Sequence, residues 1–175
     1  MTAEAASDQV PPGGARRGPS NLVAGHSDRH RPLAAYGGLI AAFNAAVALG
    51  LLAAVRSGRL PARLDARDLA LYGIATAKLS RVLTRSRVTS AVRAPFTRFQ
   101  DDAGGGEVNE QARGTGLRRA VGELLVCPHC IAQWVAVAFV GGHLASPRIA
   151  RAVASLFVVV WVAEQASAMQ RRVAP

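Results

Sequence analysis

Between Leu33 and Val55 the chain runs 23 residues without a single Asp, Glu, Lys or Arg. Coiled as an α-helix, that stretch is about 34 Å long, against a bilayer hydrocarbon core of about 30 Å. A helix that is apolar all round has to be buried, and a chain of 175 residues leaves little other protein to enclose it. A secretory signal is a poor alternative, because 32 residues precede the run and its length exceeds a usual h-region. The stretch 33–55 therefore predicts a transmembrane helix. Asn44, in mid-span, is expected to face another helix rather than lipid.

The final third of the chain is apolar again. Residues 124–145 carry no Asp, Glu, Lys or Arg, and a turn at Ser146-Pro147-Arg148 leads into a second apolar stretch, 149–169, interrupted by Arg151 and Glu164. So short a connection makes the two an antiparallel helical hairpin. Residues equidistant from Pro147 then lie at equal depth, which sets Glu164 level with Cys130 and Arg151 level with His143. Between the apolar regions, Asp65 and Asp68 open a mixed helix over 68–84. Leu69, Tyr72, Thr76, Leu79 and Leu83 share one face, with Lys78, Arg81 and Arg85 roughly opposite. That pattern suits either an interfacial helix or a short span whose basic residues snorkel.

The expected fold is thus an all-α integral membrane protein. It has three to four transmembrane helices (33–55, 68–84 short or interfacial, 124–145, 149–169) and a C-terminal antiparallel helical hairpin. Residues 1–32, broken by prolines and glycines, read as a disordered polar tail in which His26 and His30 are solvated. Residues 66–170 form the membrane domain, with a flexible loop at 100–114 around Gly104-Gly105-Gly106.

Charge excludes some chemistry and orients the chain. Twenty-one basic residues face 11 acidic ones, and every basic residue except Lys78 is arginine. A Walker A loop needs Gly-Lys-Ser/Thr, whereas Lys78 stands in Ala-Lys-Leu. Gly114-Thr115-Gly116 lacks the third glycine of a dinucleotide fingerprint and no strand is expected before it. Cytoplasmic flanks carry the excess arginine, and seven lie between Arg85 and Arg119 with Arg171 and Arg172 in the tail. Loop 85–123 and the C-terminus are therefore expected on the cytoplasmic side of the plasma membrane. The amino terminus joins them there if helix 68–84 spans, which lets Lys78, Arg81 and Arg85 reach that interface.

Cys127-Pro128-His129-Cys130 is the sharpest local motif. At a helix start, the dipole and the neighbouring thiol favour a thiolate on the first cysteine. The same four residues occur in periplasmic thiol oxidases of thioredoxin fold, but no alternating strand–helix pattern flanks them here. Four-helix membrane thiol oxidases are a looser likeness, and those use further cysteines. On the reducing side of a membrane a stable disulfide is not expected. Cys127, His129, Cys130 and Glu164 also offer ligand types for zinc; the alternative is that the cysteines pack as small apolar residues. Arg151 and His143 are expected to snorkel near the outer surface.

The order of motifs carries a resemblance. Asp68-Leu-Ala-Leu-Tyr-Gly-Ile-Ala-Thr-Ala-Lys-Leu-Ser-Arg is followed by Val88-Thr-Ser-Ala-Val-Arg-Ala-Pro-Phe-Thr-Arg-Phe. Then come Arg113-Gly-Thr-Gly-Leu-Arg-Arg-Ala-Val-Gly-Glu-Leu-Leu-Val-Cys-Pro-His-Cys and a Trp-containing apolar helix. Over residues 66–170 the chain resembles a bacterial membrane family catalogued as domain of unknown function 1360. The resemblance implies a membrane domain and transfers no catalytic residue. It directs attention to Thr89–Phe99, to Gly122-Glu123 and to the two cysteines, and the family's third motif position tends to be aromatic where this chain has His129.

From these features the expected function is non-enzymatic. Lys78, Arg81, Arg85, Arg93 and Arg98 would contact anionic lipid headgroups or an acidic protein, since arginine forks bind phosphate bidentately. Nucleic acid is a weaker reading of the same charge, because few aromatics accompany the arginines. The alternative is a thiol–disulfide or metal-binding membrane protein working through Cys127 and Cys130. No cofactor is implied apart from zinc in that alternative.

Overall fold

The computed structural model describes residues 32–61 and 63–173. The polar stretch 1–31, with His26 and His30, lies outside the described residues, as do positions 62, 174 and 175. Six helices and one two-stranded hairpin follow in the order α1 (Leu33–Arg56), α2 (Ala66–Arg85), α3 (Ser90–Arg93), β1 (Thr97–Gly104), β2 (Glu107–Ala112), α4 (Gly116–Val126), α5 (Pro128–Ala145) and α6 (Pro147–Val173).

By length and composition α1 and α6 can each cross a bilayer, and α4 with α5 make a third candidate bent by 84°. The outward faces of α1 and α6 are apolar: Ile40, Leu49, Leu156 and Val159 all lie exposed. A water-soluble protein rarely shows so much contiguous apolar surface, whereas hydrocarbon accepts it. The continuous helix expected over 124–145 is broken in two. Leu124–Val126 close α4, Cys127 adopts an extended backbone, and Pro128 begins α5 at a position where its missing N–H costs nothing.

The core lies where α2, α5 and α6 meet, around Tyr72, Ala75, Val135, Phe139, Ala150 and Ala154. Three alanines among the six let the helix backbones approach closely, and Tyr72 stacks on Phe139 with ring centres 5.7 Å apart. Asp68 meets Arg151, and Lys78 meets Glu164, so α2 and α6 run parallel. Tyr36 reaches Glu123 on α4 and Phe43 packs edge-on to Trp134 on α5, so the start of α1 lies beside α4 and its middle beside α5. The start of α1, the β-hairpin and the end of α6 therefore share one end of the bundle. The α1–α2 connector and the α5–α6 turn share the other.

Two further sequence expectations change. The 100–114 segment is not an irregular loop: β1 and β2 pair antiparallel with Thr97 opposite Ala112 and Gly104 opposite Glu107. Gly104, Gly105 and Gly106 make the turn, with φ of +82°, +59° and +80°, which only glycine adopts at low cost. Asn44 does not face a helix; it is exposed and gives its amide to the Ile40 carbonyl of its own helix at 3.0 Å. Helix α2, left open between an interfacial helix and a short span, carries five charges (Arg67, Asp68, Lys78, Arg81 and Arg85), packs along α5 and α6, and is not among the described helices apolar enough by composition to cross a membrane.

Helix α4 rests on the hairpin through Gly122. A Cβ there would meet the Phe96 carbonyl oxygen at 2.5 Å and the Ala112 side chain at 3.0 Å. Gly122→Ala is expected to destabilise the fold by about 1–3 kcal/mol through overpacking. The thermal midpoint of purified protein in detergent checks this, and an unchanged midpoint would show that α4 does not press on the strand.

Candidate functional site

Cys127 ends α4 and caps α5. Its Sγ accepts the Cys130 backbone N–H at 3.1 Å, and the two sulfurs form a disulfide across a Cα–Cα distance of 5.2 Å. The sequence reading expected no stable disulfide here. The difference is local in origin, since one helical turn brings both sulfurs to the same point whatever the compartment. His129 and Cys130 are exposed, and Cys127 is half-buried.

One turn before the pair, the Glu123 carboxylate accepts the Tyr36 hydroxyl and, at 3.0 Å, Arg119 Nε. These groups border a groove of about 500 Å³ between α1, α4 and α5. A second groove, of about 630 Å³ and almost wholly apolar, lies along α2, α5 and α6.

The four residues grouped for zinc are not gathered. The cysteines pair with each other and Glu164 pairs with Lys78 on α2. Among the described residues no three His, Cys, Asp or Glu side chains cluster as a metal site. Lys78 offers Glu164 an opposite charge that the α5 residues at its depth do not.

His143 does not snorkel to the surface, whereas the Arg151 side chain stays half exposed. Arg151 holds Asp68 with both arms of its guanidinium, at 2.8 and 2.7 Å. His143 is buried, its Nδ1 2.8 Å from the Tyr72 hydroxyl and 3.9 Å from Asp68. Their predicted common depth is what brings them together. The missing member was Asp68, whose place at a helix start explained it without a partner.

Of the five basic residues proposed for lipid or acidic partners, four are engaged internally. Lys78 binds Glu164, Arg81 grips Glu107 at 2.6 and 2.9 Å, and Arg85 donates to Asn109 at 2.6 Å. Arg93 is 1% exposed and cannot reach a membrane. Its guanidinium donates to both Glu110 oxygens at 3.0 Å, to the Leu83 carbonyl at 2.7 Å and to the Ser86 carbonyl at 3.1 Å. Ser90 and Thr97 add their hydroxyls to the same carboxylate. Only Arg98 of the five stands exposed without a side-chain partner among the described residues.

These contacts set the acidity of the hairpin. Burial pushes Glu110 up, but the bonds from Arg93, Ser90 and Thr97 together with the Arg93 charge outweigh it and hold the carboxyl below its ordinary 4.5. Glu107 is lowered chiefly by its bond from Arg81, with burial opposing.

A family model described as a protein of unknown function, DUF1360, matches residues 71–170, from the first turns of α2 almost to the end of α6. The chain belongs to the DUF1360 family. No curated protein and no solved structure matches it. Within the DUF1360 segment lie Lys78, the Arg93–Glu110 clamp, both cysteines, His143, Arg151 and Glu164, whereas Asp68 and all of α1 lie before it.

Proposed function

We propose that this DUF1360 protein is a four-crossing plasma-membrane protein whose Cys127–Cys130 pair is a reversible thiol–disulfide couple at the cytoplasmic surface. The crossings are α1, α2, α5 and α6. Support for α2 comes from its packing along α5 and α6: its 20 residues span about 30 Å, and two of its charges, Asp68 and Lys78, meet Arg151 and Glu164. The end that holds the hairpin also holds the arginines between Arg85 and Arg119 and those of the C-terminus, which favours a cytoplasmic placement.

The redox assignment rests on one observation: a sulfur that caps α5 is bonded to a neighbour on an exposed first turn. On opening, the Cys127 thiolate keeps the Cys130 amide and the helix dipole as stabilising partners. Reduction takes two electrons and two protons from an external dithiol, whose own sulfurs close into a disulfide. In a reducing compartment such a pair is open at rest and closes in turnover.

Inside-out and right-side-out vesicles carrying the full chain test both halves. After graded exposure to glutathione buffers, a membrane-impermeant maleimide is expected to label the pair only in inside-out vesicles, with a single two-electron transition. Labelling that ignores the redox buffer would end the thiol assignment, and labelling from the outer face would reverse the topology.

Exposed Arg98 also favours the non-enzymatic reading, in which this rim touches anionic headgroups. Arg113 and Arg118, both anchored on the Pro95 carbonyl, would join it. Each contributes about 1 kcal/mol near such a surface.

A further inference from the structure

We propose that the groove between α1, α4 and α5 binds an isoprenoid quinone, and that this quinone is the two-electron acceptor for Cys127 and Cys130. The proposal rests on the thiol–disulfide assignment above and adds its membrane-borne oxidant.

The groove, at about 500 Å³, falls within the range of about 300–1,000 Å³ usual for small-molecule sites. Its lining is graded. Along α1 and α5 it is apolar, with Leu39, Ile40, Phe43 and Trp134. At the cysteine end it turns polar, with Glu123, His129 and Gln133 beside Cys130. His129 and Gln133 stand four residues apart on α5, so they share one face, and both are exposed to the groove. Their ring N–H and amide N–H groups suit the two carbonyl oxygens of a quinone head. The edge-on Phe43–Trp134 pair, 5.3 Å between centres, supplies aromatic surface at the depth where the ring gives way to its tail.

Other occupants fit less well. An acyl chain needs no polar end and suits the larger apolar groove along α2 and α6. A phosphate-bearing ligand would call for a cation, and no lysine or arginine lines this groove, while Arg119 beside it is held by Glu123. Because α1 has an apolar outer surface, the groove opens at hydrocarbon depth, where an isoprenoid tail can leave it sideways. Helix α1 precedes the residues matched to the family, so this site would belong to the present chain and not to the DUF1360 segment alone.

The reaction balances. Two S–H bonds break and one S–S bond forms; the two electrons and two protons released convert the quinone carbonyls to the two O–H groups of the quinol. Cys130, in the groove wall, is the sulfur that meets the quinone, while Cys127 lies behind it as the cap of α5.

The test uses the full chain in lipid nanodiscs, reduced and freed of reductant, mixed anaerobically with a short-chain ubiquinone. One quinone is expected to be reduced per cysteine pair, followed by its absorbance, with none reduced by Cys130→Ser. Ile40→Trp, at an exposed groove position, is expected to slow quinone reduction at least tenfold while leaving oxidation by oxidised glutathione unchanged. In the Cys127→Ser/Cys130→Ser variant, which cannot turn over, the quinone should still quench tryptophan fluorescence, saturably with quinone concentration. If glutathione oxidises the pair and the quinone does not, or if Ile40→Trp changes neither rate, the quinone site is overturned and the thiol couple stands. Thiols inert to both oxidants overturn both proposals.

Discussion

Replacing Arg93 with methionine is expected to unfasten the β-hairpin and to cost about 3–5 kcal/mol. The methionine fills much of the space but leaves Glu110, itself 4% exposed, as a buried carboxylate without its counter-ion. It also withdraws the donors that hold the Leu83 and Ser86 carbonyls at the end of α2, so four segments lose their common tie: α2, α3, β1 and β2. Limited proteolysis across 97–112 and the thermal midpoint in detergent would read the loss. Removing both charges, in Arg93→Met/Glu110→Leu, is expected to recover much of it, because a paired burial replaced by apolar groups is often near neutral. A double variant as unstable as the single would show that the ion pair is not what the hairpin depends on. Acid acts on the same tie. Glu110 has a lowered carboxyl value, so its stabilisation is complete above 4.5 and is lost as pH falls through the lowered value. The wild-type midpoint should therefore drop in that acidic window, whereas in Arg93→Met acid should relieve the unpaired carboxylate.

The second large effect concerns the pair that joins α2 to α6. Lys78→Glu sets two carboxylates against each other across the α2–α6 contact, where position 78 is buried and Glu164 half exposed, and Glu164→Lys sets two ammonium groups together. In the proposed four-crossing topology an unpaired charge within a span costs about 2.5–3.5 kcal/mol on insertion scales, and each single variant is expected to lose folded yield accordingly. The exchanged pair, Lys78→Glu/Glu164→Lys, should return to within about 1 kcal/mol of the parent. That coupling is the signature of direct contact. A double variant no better than the sum of its parts would mean that the two residues do not meet in the membrane.

The long apolar helices were legible because absence of charge over 23 residues leaves few alternatives. The hairpin turn at Pro147 was legible for the same reason. The β-hairpin was not: Thr97–Gly104 and Glu107–Ala112 are mostly polar, and the inward positions of β2 are Val108 and Glu110, so no apolar alternation marks the strands. Their stability comes from Arg93, which sequence reasoning assigned to lipid. Glu164 was offered partners and Arg151 was expected to snorkel, because equal-depth arithmetic along one helical hairpin can only nominate residues of α5. The actual partners, Lys78 and Asp68, lie 86 and 83 positions away on α2, where local pattern explained them as a snorkelling stripe and a helix start. The two cysteines announced their chemistry by spacing, but the groove beside Cys130 depends on α1, whose contact with α5 no local pattern encodes.

That 86-residue separation also has a meaning for how the protein is made. At about 5–20 residues per second, Glu164 leaves the ribosome about 4–17 s after Lys78. During that interval α2 is present with its lysine unmatched, while the hairpin, α4 and α5 are still being synthesised. In the proposed four-crossing topology a segment in that condition partitions poorly into lipid by itself, so α2 is expected to wait at the insertion machinery or at the interface until α6 arrives. Biogenesis would then be ordered by electrostatics: α6 completes α2.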